Sequence, residues 1–164
     1  MTITDHATLP QTHVSPTTSP LATARRLAGH DDLWRPHVDF DPAARYFRRL
    51  LAEGDHEVWL LTWLPGQGTP WHDHGGSDGA FVVLQGALVE QTAAHGRVRG
   101  TRRIHRRGSS HGFGAQYVHR VRNEGPDPAV SLHVYAPRLE RMNDYAERDG
   151  VLELVEARRV GEDW

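Results

Sequence analysis

The chain has 164 residues, with 19 basic and 21 acidic side chains, a net charge of −2, 12 histidines and no cysteine. That length suits one domain with a core of its own, the near-neutral charge argues against a general nucleic-acid binder, and no apolar run approaches membrane-spanning length. The N-terminus lacks the basic start and apolar stretch of a secretory signal. The lack of cysteine excludes a disulfide framework and fits the cytoplasm, where a monomer is expected.

Residues 1–20, rich in Thr, Pro and Ser, lack periodicity and read as a disordered tail, leaving 21–164 as a single domain. Leu21–His30 reads as a short helix, with Leu21, Ala24, Leu27 and Ala28 on one face. Asp41-Pro42 offers an N-cap and a first-turn proline, so local rules predict a helix over Pro42–Glu53. From Glu57 the texture changes to short β-type runs: Glu57–Leu64, Ala80–Leu84, Ala87–Thr92, Arg97–Ile104, Tyr117–Asn123 and Ala129–Tyr135. Turn residues separate them, including Pro65-Gly66-Gln67-Gly68, Gly75-Gly76, Gly86, His95-Gly96, Gly108 and Gly125-Pro126. Many short strands at this spacing predict an all-β barrel or double-sheet sandwich. Val151–Val160 reads as either strand or helix. Six arginines in Arg97–Arg107 lack aromatic interleaving and read as a solvated hairpin rather than an RNA contact.

His72-Asp73-His74 is the most informative segment. Histidines at i and i+2 on a strand share a face, and His119, in another β-type run, can complete a set around one ion. Imidazole suits iron, zinc, copper or nickel, and spacing alone does not choose among them. Ser131, His133 and Tyr135 also share one strand face. A hydroxyl, an imidazole and a phenol together are costly to bury unless each is paired, so they read either as an exposed polar face or as a functional ladder.

These residues resemble the cupins. Gly66, His72, His74, Gly79 and Gly86 follow the first cupin motif; Gly114, His119 and Asn123 partly follow the second, whose usual proline is absent. The resemblance implies a double-stranded β-helix, or jelly roll, behind short N-terminal helices. Ordinary cupins carry an acidic ligand near Asp78, so a three-His-one-Asp site is an alternative to the three-His site.

A finer resemblance, covering about Tyr46 to Tyr145, is to the cysteine dioxygenase type I family. It rests on His72-Asp73-His74, Ala80-Phe81, Leu84-Gln85-Gly86, His119-Arg120-Val121 and Ser131-Leu132-His133-Val134-Tyr135. It implies Fe(II) held by His72, His74 and His119, with Ser131, His133 and Tyr135 as a hydrogen-bonded relay. Arg48, in Tyr46-Phe47-Arg48, is implied as the carboxylate anchor with Tyr46 assisting, for which a planar guanidinium is suited. The resemblance also turns Tyr46–Leu51 into a strand that pairs with Glu57–Leu64 through Gly54-Asp55. Animal members carry a cysteine that crosslinks to the relay tyrosine; Gly79 stands there in this chain, so Tyr135 should remain a free phenol.

The implied activity is an iron-dependent dioxygenase that adds both atoms of O2 to the sulfur of L-cysteine, giving the sulfinate. Another small thiol such as 3-mercaptopropionate is the nearest alternative, and Arg48, where relatives acting on it carry Gln, tilts the choice to cysteine. A non-thiol cupin enzyme, or a metal-binding cupin that senses a ligand, with Asp78 as fourth ligand, is the further one.

Overall fold

Alternation of side chains along a strand decides which residues face the interior, and two layers of strands here enclose it. The computed structural model describes residues 18–160. The expected tail lies outside the described residues as far as residue 17; Thr18 to Pro20 carry the start of the first helix. That helix, α1 (Pro20–Ala28), has Pro20 in its first turn and Ser19 as N-cap, whose Oγ accepts from the Ala22 N–H at 3.3 Å. A short α2 (Asp31–Trp34) and a 3-10 turn, Arg35–His37, follow.

Eleven strands complete the described chain. They are β1 (Phe47–Glu53), β2 (His56–Trp63), β3 (Trp71–Asp73), β4 (Asp78–Gln85), β5 (Ala87–Ala94), β6 (Arg97–Arg106), β7 (Ser110–Phe113), β8 (Val118–Arg122), β9 (Ala129–Ala136), β10 (Arg141–Arg148) and β11 (Val151–Arg159). One sheet runs β1-β2-β9-β4-β7, and the second runs β10-β11-β6-β5-β8-β3 and closes on itself. This is the double-sheet arrangement that the strand spacing predicts and the jelly roll that the resemblance implies.

The central strands of the first sheet are buried on both faces, which is why they read as nearly unbroken apolar runs. Val58, Leu60, Ala80, Val82, Val130, Leu132 and Val134 point outward and are covered by Ala24, Leu27 and Trp34. Trp59, Leu61, Trp63, Phe81, Val83 and Tyr135 point inward, toward the second sheet.

Two readings that the sequence leaves open are decided, the first in favour of the strand that the resemblance implies. The helix that local rules favour over Pro42–Glu53 is replaced by strand β1, paired antiparallel with β2 from Phe47↔Leu61 to Glu53↔His56. Phe47, Leu50 and Leu51 gain partners in the two core clusters, and such packing overrides weak helix propensity. Val151–Val160 resolves as strand β11, in register with β10.

Candidate metal centre

β3 lies between β8 and β10, with His72 opposite His119 on one side and opposite Asp144 on the other. Alternation turns Trp71 and Asp73 outward and His72 inward. On the outer face Asp73 accepts from the Gly75 N–H (2.9 Å), the Asn143 amide (2.9 and 3.1 Å) and the Tyr145 hydroxyl (2.6 Å). Burial first, and then Asp73, push the Tyr145 phenol up to about 12. These bonds hold the strand end from which His74 projects. The turn that follows needs glycine: Gly75 has φ +59°, and a Cβ there would lie 2.4 Å from the Arg141 carbonyl oxygen.

The imidazoles of His72, His74 and His119 converge. All three are buried, and their candidate ligand nitrogens lie within 4.8 Å of one another. His72 Nδ1 lies 3.0 Å from the Pro70 carbonyl and must donate to it, leaving the Nε2 lone pair free. His119 Nδ1 lies 2.7 Å from Glu90 Oε1, with the same consequence. Neither ring nitrogen of buried His74 has a hydrogen-bond partner. Burial first, then repulsion from neighbouring histidines, lowers the pKa of His72 and His74 well below the ordinary imidazole value, so both rings are neutral. Imidazole nitrogens aimed at one point fit a first-row divalent ion, and an orphaned buried imidazole is otherwise costly. Asp78 is exposed at the start of β4 and stands outside this group, which removes the three-His-one-Asp alternative.

The polar ladder on β9 is buried, not solvated. Ser131 Oγ is 2.9 Å from His133 Nε2, and the Tyr135 hydroxyl is 3.4 Å from His133 Nδ1. Trp63, across on β2, adds a fourth member by donating its indole N–H to Ser131 Oγ at 2.9 Å. An indole is donor only. A polarity consistent with all three contacts runs from Trp63 through the Ser131 hydroxyl to His133 Nε2. The His133 Nδ1–H then faces the Tyr135 oxygen, and the phenol proton is free to point into the interior. Burial lowers the His133 pKa well below its ordinary value and raises that of Tyr135, keeping both neutral. Phe81 stacks on His133 with centroids 5.4 Å apart, whereas Trp71 lies outside the cavity beneath Arg120.

The two histidines on paired strands and the ladder meet at a cavity of about 20 Å³, lined by Arg45, Trp63, His72, His119, His133 and Tyr135 together with apolar neighbours. That volume is about one water molecule.

The predicted anchor is corrected here. Arg48 faces Leu60 on the outer side of the sheet and is exposed; Tyr46 has the same parity and does not line the cavity. Arg45 enters instead. Its guanidinium sits 4.8 Å over the Trp63 ring, and its buried Nη1 has no hydrogen-bond partner. Burial lowers its pKa to about 10, so it remains a cation at neutral pH.

Sequence reading thus missed Arg45, Trp63 and Glu90. Two of them carried a faint signal: Arg45 sits an odd number of residues from Arg48, and Glu90 is a lone acid on the inward parity of Leu88 in β5. Gly79 lies opposite Tyr135, and a Cβ there would stand 3.0 Å from Tyr135 Cδ1 and 2.4 Å from Phe113 Cε2.

Known structures share this architecture. A protein of Thermus thermophilus superposes with a TM-score of 0.56 at 27% identity, covering 63% of this chain and 93% of that one. A double-stranded β-helix domain protein from Klebsiella pneumoniae gives 0.56 at 20% identity, covering 74% and 93%. The two-sheet fold with a converging histidine triad defines a cupin whose three histidines can bind a metal.

The particular family follows from the sequence carried by that fold. The profile of cysteine dioxygenase type I matches residues 23–148, and the chain belongs to that family. Human cysteine dioxygenase type 1 is 31% identical over 127 residues, covering 71% of this chain and 63% of the human protein. The Danio rerio protein of the same name is 30% identical over 128 residues. The chain thus spans 63% of the length of these curated relatives.

Proposed function

We propose that this chain is an Fe(II)-dependent thiol dioxygenase acting on a small thiol that carries a carboxylate, L-cysteine first among them. The observation that carries the reading is Arg45: a half-buried cation whose buried Nη1 has no hydrogen-bond partner, on the wall of the cavity that holds His72 and His119. Family membership and the converging histidine triad support it.

His72, His74 and His119 would hold the ion. When bound, ferrous iron supplies a positive charge that favours a thiolate, together with coordination positions for the substrate and O2. Arg45 Nη1 would take the substrate carboxylate, satisfying its own lost hydrogen bond. The relay from Trp63 to Tyr135 would fix the phenol so that its proton faces the reacting sulfur and oxygen. Apolar neighbours such as Leu61, Val121 and Met142 keep bulk water out. Both atoms of O2 go to sulfur, so thiolate plus O2 balances to sulfinate with no external reductant.

A second reading, 3-mercaptopropionate, gains from the outward placement of Arg48, because that residue no longer discriminates between the two thiols. Both carry the carboxylate that Arg45 would bind. The reading takes the enzyme to be one cupin domain acting as a monomer in the cytoplasm, without nucleic acid or membrane partners. The absence of cysteine fits the cytoplasm, and the charge of −2 argues against a general nucleic-acid partner. Among the described residues no helix is long and apolar enough to cross a membrane.

The test is O2 uptake after anaerobic loading with Fe(II), with L-cysteine, 3-mercaptopropionate and cysteamine compared. Sulfinate from L-cysteine is the expected product. Uptake with no thiol would sink the dioxygenase reading; cysteamine, which lacks the carboxylate, turned over as well as cysteine would sink the role of Arg45.

A further inference from the structure

Three buried histidines converge on the centre, but their outer nitrogens have different partners. His72 leans on a neutral carbonyl, that of Pro70, and His74 has no partner. His119 alone leans on a carboxylate, that of Glu90, at 2.7 Å. Glu90 is fully buried, and no mechanistic step above uses it.

The protons around Glu90 can be placed by counting. Oε1 faces both His119 Nδ1 (2.7 Å) and the Tyr117 hydroxyl (3.0 Å), and Oε2 faces His105 Nε2 (2.8 Å). An ionised carboxylate is acceptor only, so all three neighbours must donate. His119 therefore carries its proton on Nδ1 and presents Nε2 to the other histidines. Tyr117 donates inward, so its oxygen is left to accept from His111 Nε2 at 3.0 Å. His119, Tyr117 and His105 all point their donors at Glu90, and His111 points its own at Tyr117. Three donors within 3.0 Å of its two oxygens favour the ionised carboxylate over the protonated acid. The network is satisfied, which a buried anion needs if it is not to unfold its surroundings.

We infer that Glu90 is a positioning residue for the metal centre: it locks His119 in the Nδ1–H tautomer and places a negative charge one hydrogen bond from the ligand set. The inference rests on the metal-centre reading above and deepens it. A carboxylate behind a ligating imidazole orients the ring and raises its basicity. The centre then differs from three bare neutral imidazoles, since an anion stands behind His119 and none behind His72 or His74. His119 is the strongest donor of the three, and Tyr117 and His105 hold Glu90 in place through their own bonds.

The test uses the full-length protein and needs neither thiol nor O2. Co(II) affinity is measured by competition with a chromophoric chelator for the wild type and Glu90→Gln. Gln keeps the size and one carbonyl acceptor for His119 and Tyr117, and its amide can donate to His105 in the other tautomer, so only the charge is removed. A loss of about 10–100-fold in Co(II) affinity, with an altered Co(II) ligand-field spectrum and a metal-free protein that still melts cooperatively, is expected. Affinity within about twofold of the wild type would overturn the inference.

A second measurement does not depend on the variant folding: the 15N shifts of His119 in the metal-free wild type. The Nδ1–H tautomer is expected, and the Nε2–H tautomer would overturn the proposal. Failure here is distinct from failure of the proposed activity. A wild type that binds Co(II), loses affinity on Glu90→Gln and yet oxidises no thiol after Fe(II) loading would refute the dioxygenase reading and leave Glu90 in its role.

Discussion

Replacing Arg45 with Met separates stability from ligand binding, because the two should move in opposite directions. Burial takes the Arg45 guanidinium from its ordinary value of 12.5 to about 10. At about 1.4 kcal/mol per pH unit, that difference amounts to about 3 kcal/mol of unfavourable burial. The folded value lies below the unfolded one, so the cost is fully present at every pH below about 10 and is relieved only as pH rises toward 12.5. Met keeps the length and apolar stem but forfeits the stacking on Trp63, which contributes about 1 kcal/mol. The metal-free Arg45→Met protein should therefore be more stable at pH 7 by about 2 kcal/mol. For a domain of this size that is about 4–8 °C in Tm. The assay is thermal unfolding with and without metal and L-cysteine. The wild type should gain stability from the thiol acid in the presence of metal, and the variant should not. A variant less stable than the wild type would mean that Arg45 already has a compensating partner, and the argument that it awaits an anion would fail.

Other consequences can be measured on the same protein. Gly79→Ala would place a Cβ 2.4 Å from Phe113 Cε2 and 3.0 Å from Tyr135 Cδ1; denaturant unfolding should show a loss of about 1–3 kcal/mol, the usual cost of overpacking. Trp63→Phe removes the donor to Ser131, and a double-mutant cycle with Ser131→Ala should give a coupling of about 1 kcal/mol; strict additivity would mean the bond carries no energy. The depressed pKa values of His72, His74 and His133 mean that the unfolded chain binds more protons below about pH 6.5. Metal-free stability should then rise with pH through that region and fall by up to about 4 kcal/mol per pH unit on its acid side. A flat profile from pH 5 to pH 7 would show that these rings are not held neutral.

Several features could be read from the sequence because local pattern carries them. Runs such as Ala80–Leu84 and Ala129–Tyr135 appeared as strands because both of their faces are buried, so apolar residues dominate regardless of register. The polar run Arg141–Arg148 gave no such signal, since β10 is mostly half-buried and polar and owes its conformation to pairing with β3 and β11. Trp71–Asp73, with only three residues, is likewise defined by its two neighbours. Over Pro42–Glu53 the capping signal at Asp41-Pro42 was real but weak, and long-range pairing with β2 overrode it.

The choice between Arg45 and Arg48 shows the same limit at the site. Both are arginines close to the start of β1, and their odd spacing places them on opposite faces of the chain. Which face is inner depends on the register Phe47↔Leu61, a contact between two strands. Composition near the motif cannot reveal that. Ser131, His133 and Tyr135 could be recognised as one polar face, yet their burial and their extension to Trp63 depend on β2 lying beside β9.

Local pattern and composition fix the β texture, the one-sided spacing of His72 and His74, the ladder on β9 and the absence of any cysteine to modify Tyr135. All of these follow from the two-residue period of a strand or from composition. Long-range packing is what brings His119 to the pair, sets Asp78 apart, turns Arg45 and not Arg48 to the cavity, and puts Glu90 behind His119. Each of those depends on strand register and on which face is buried, and both are set by contacts between residues far apart in the chain.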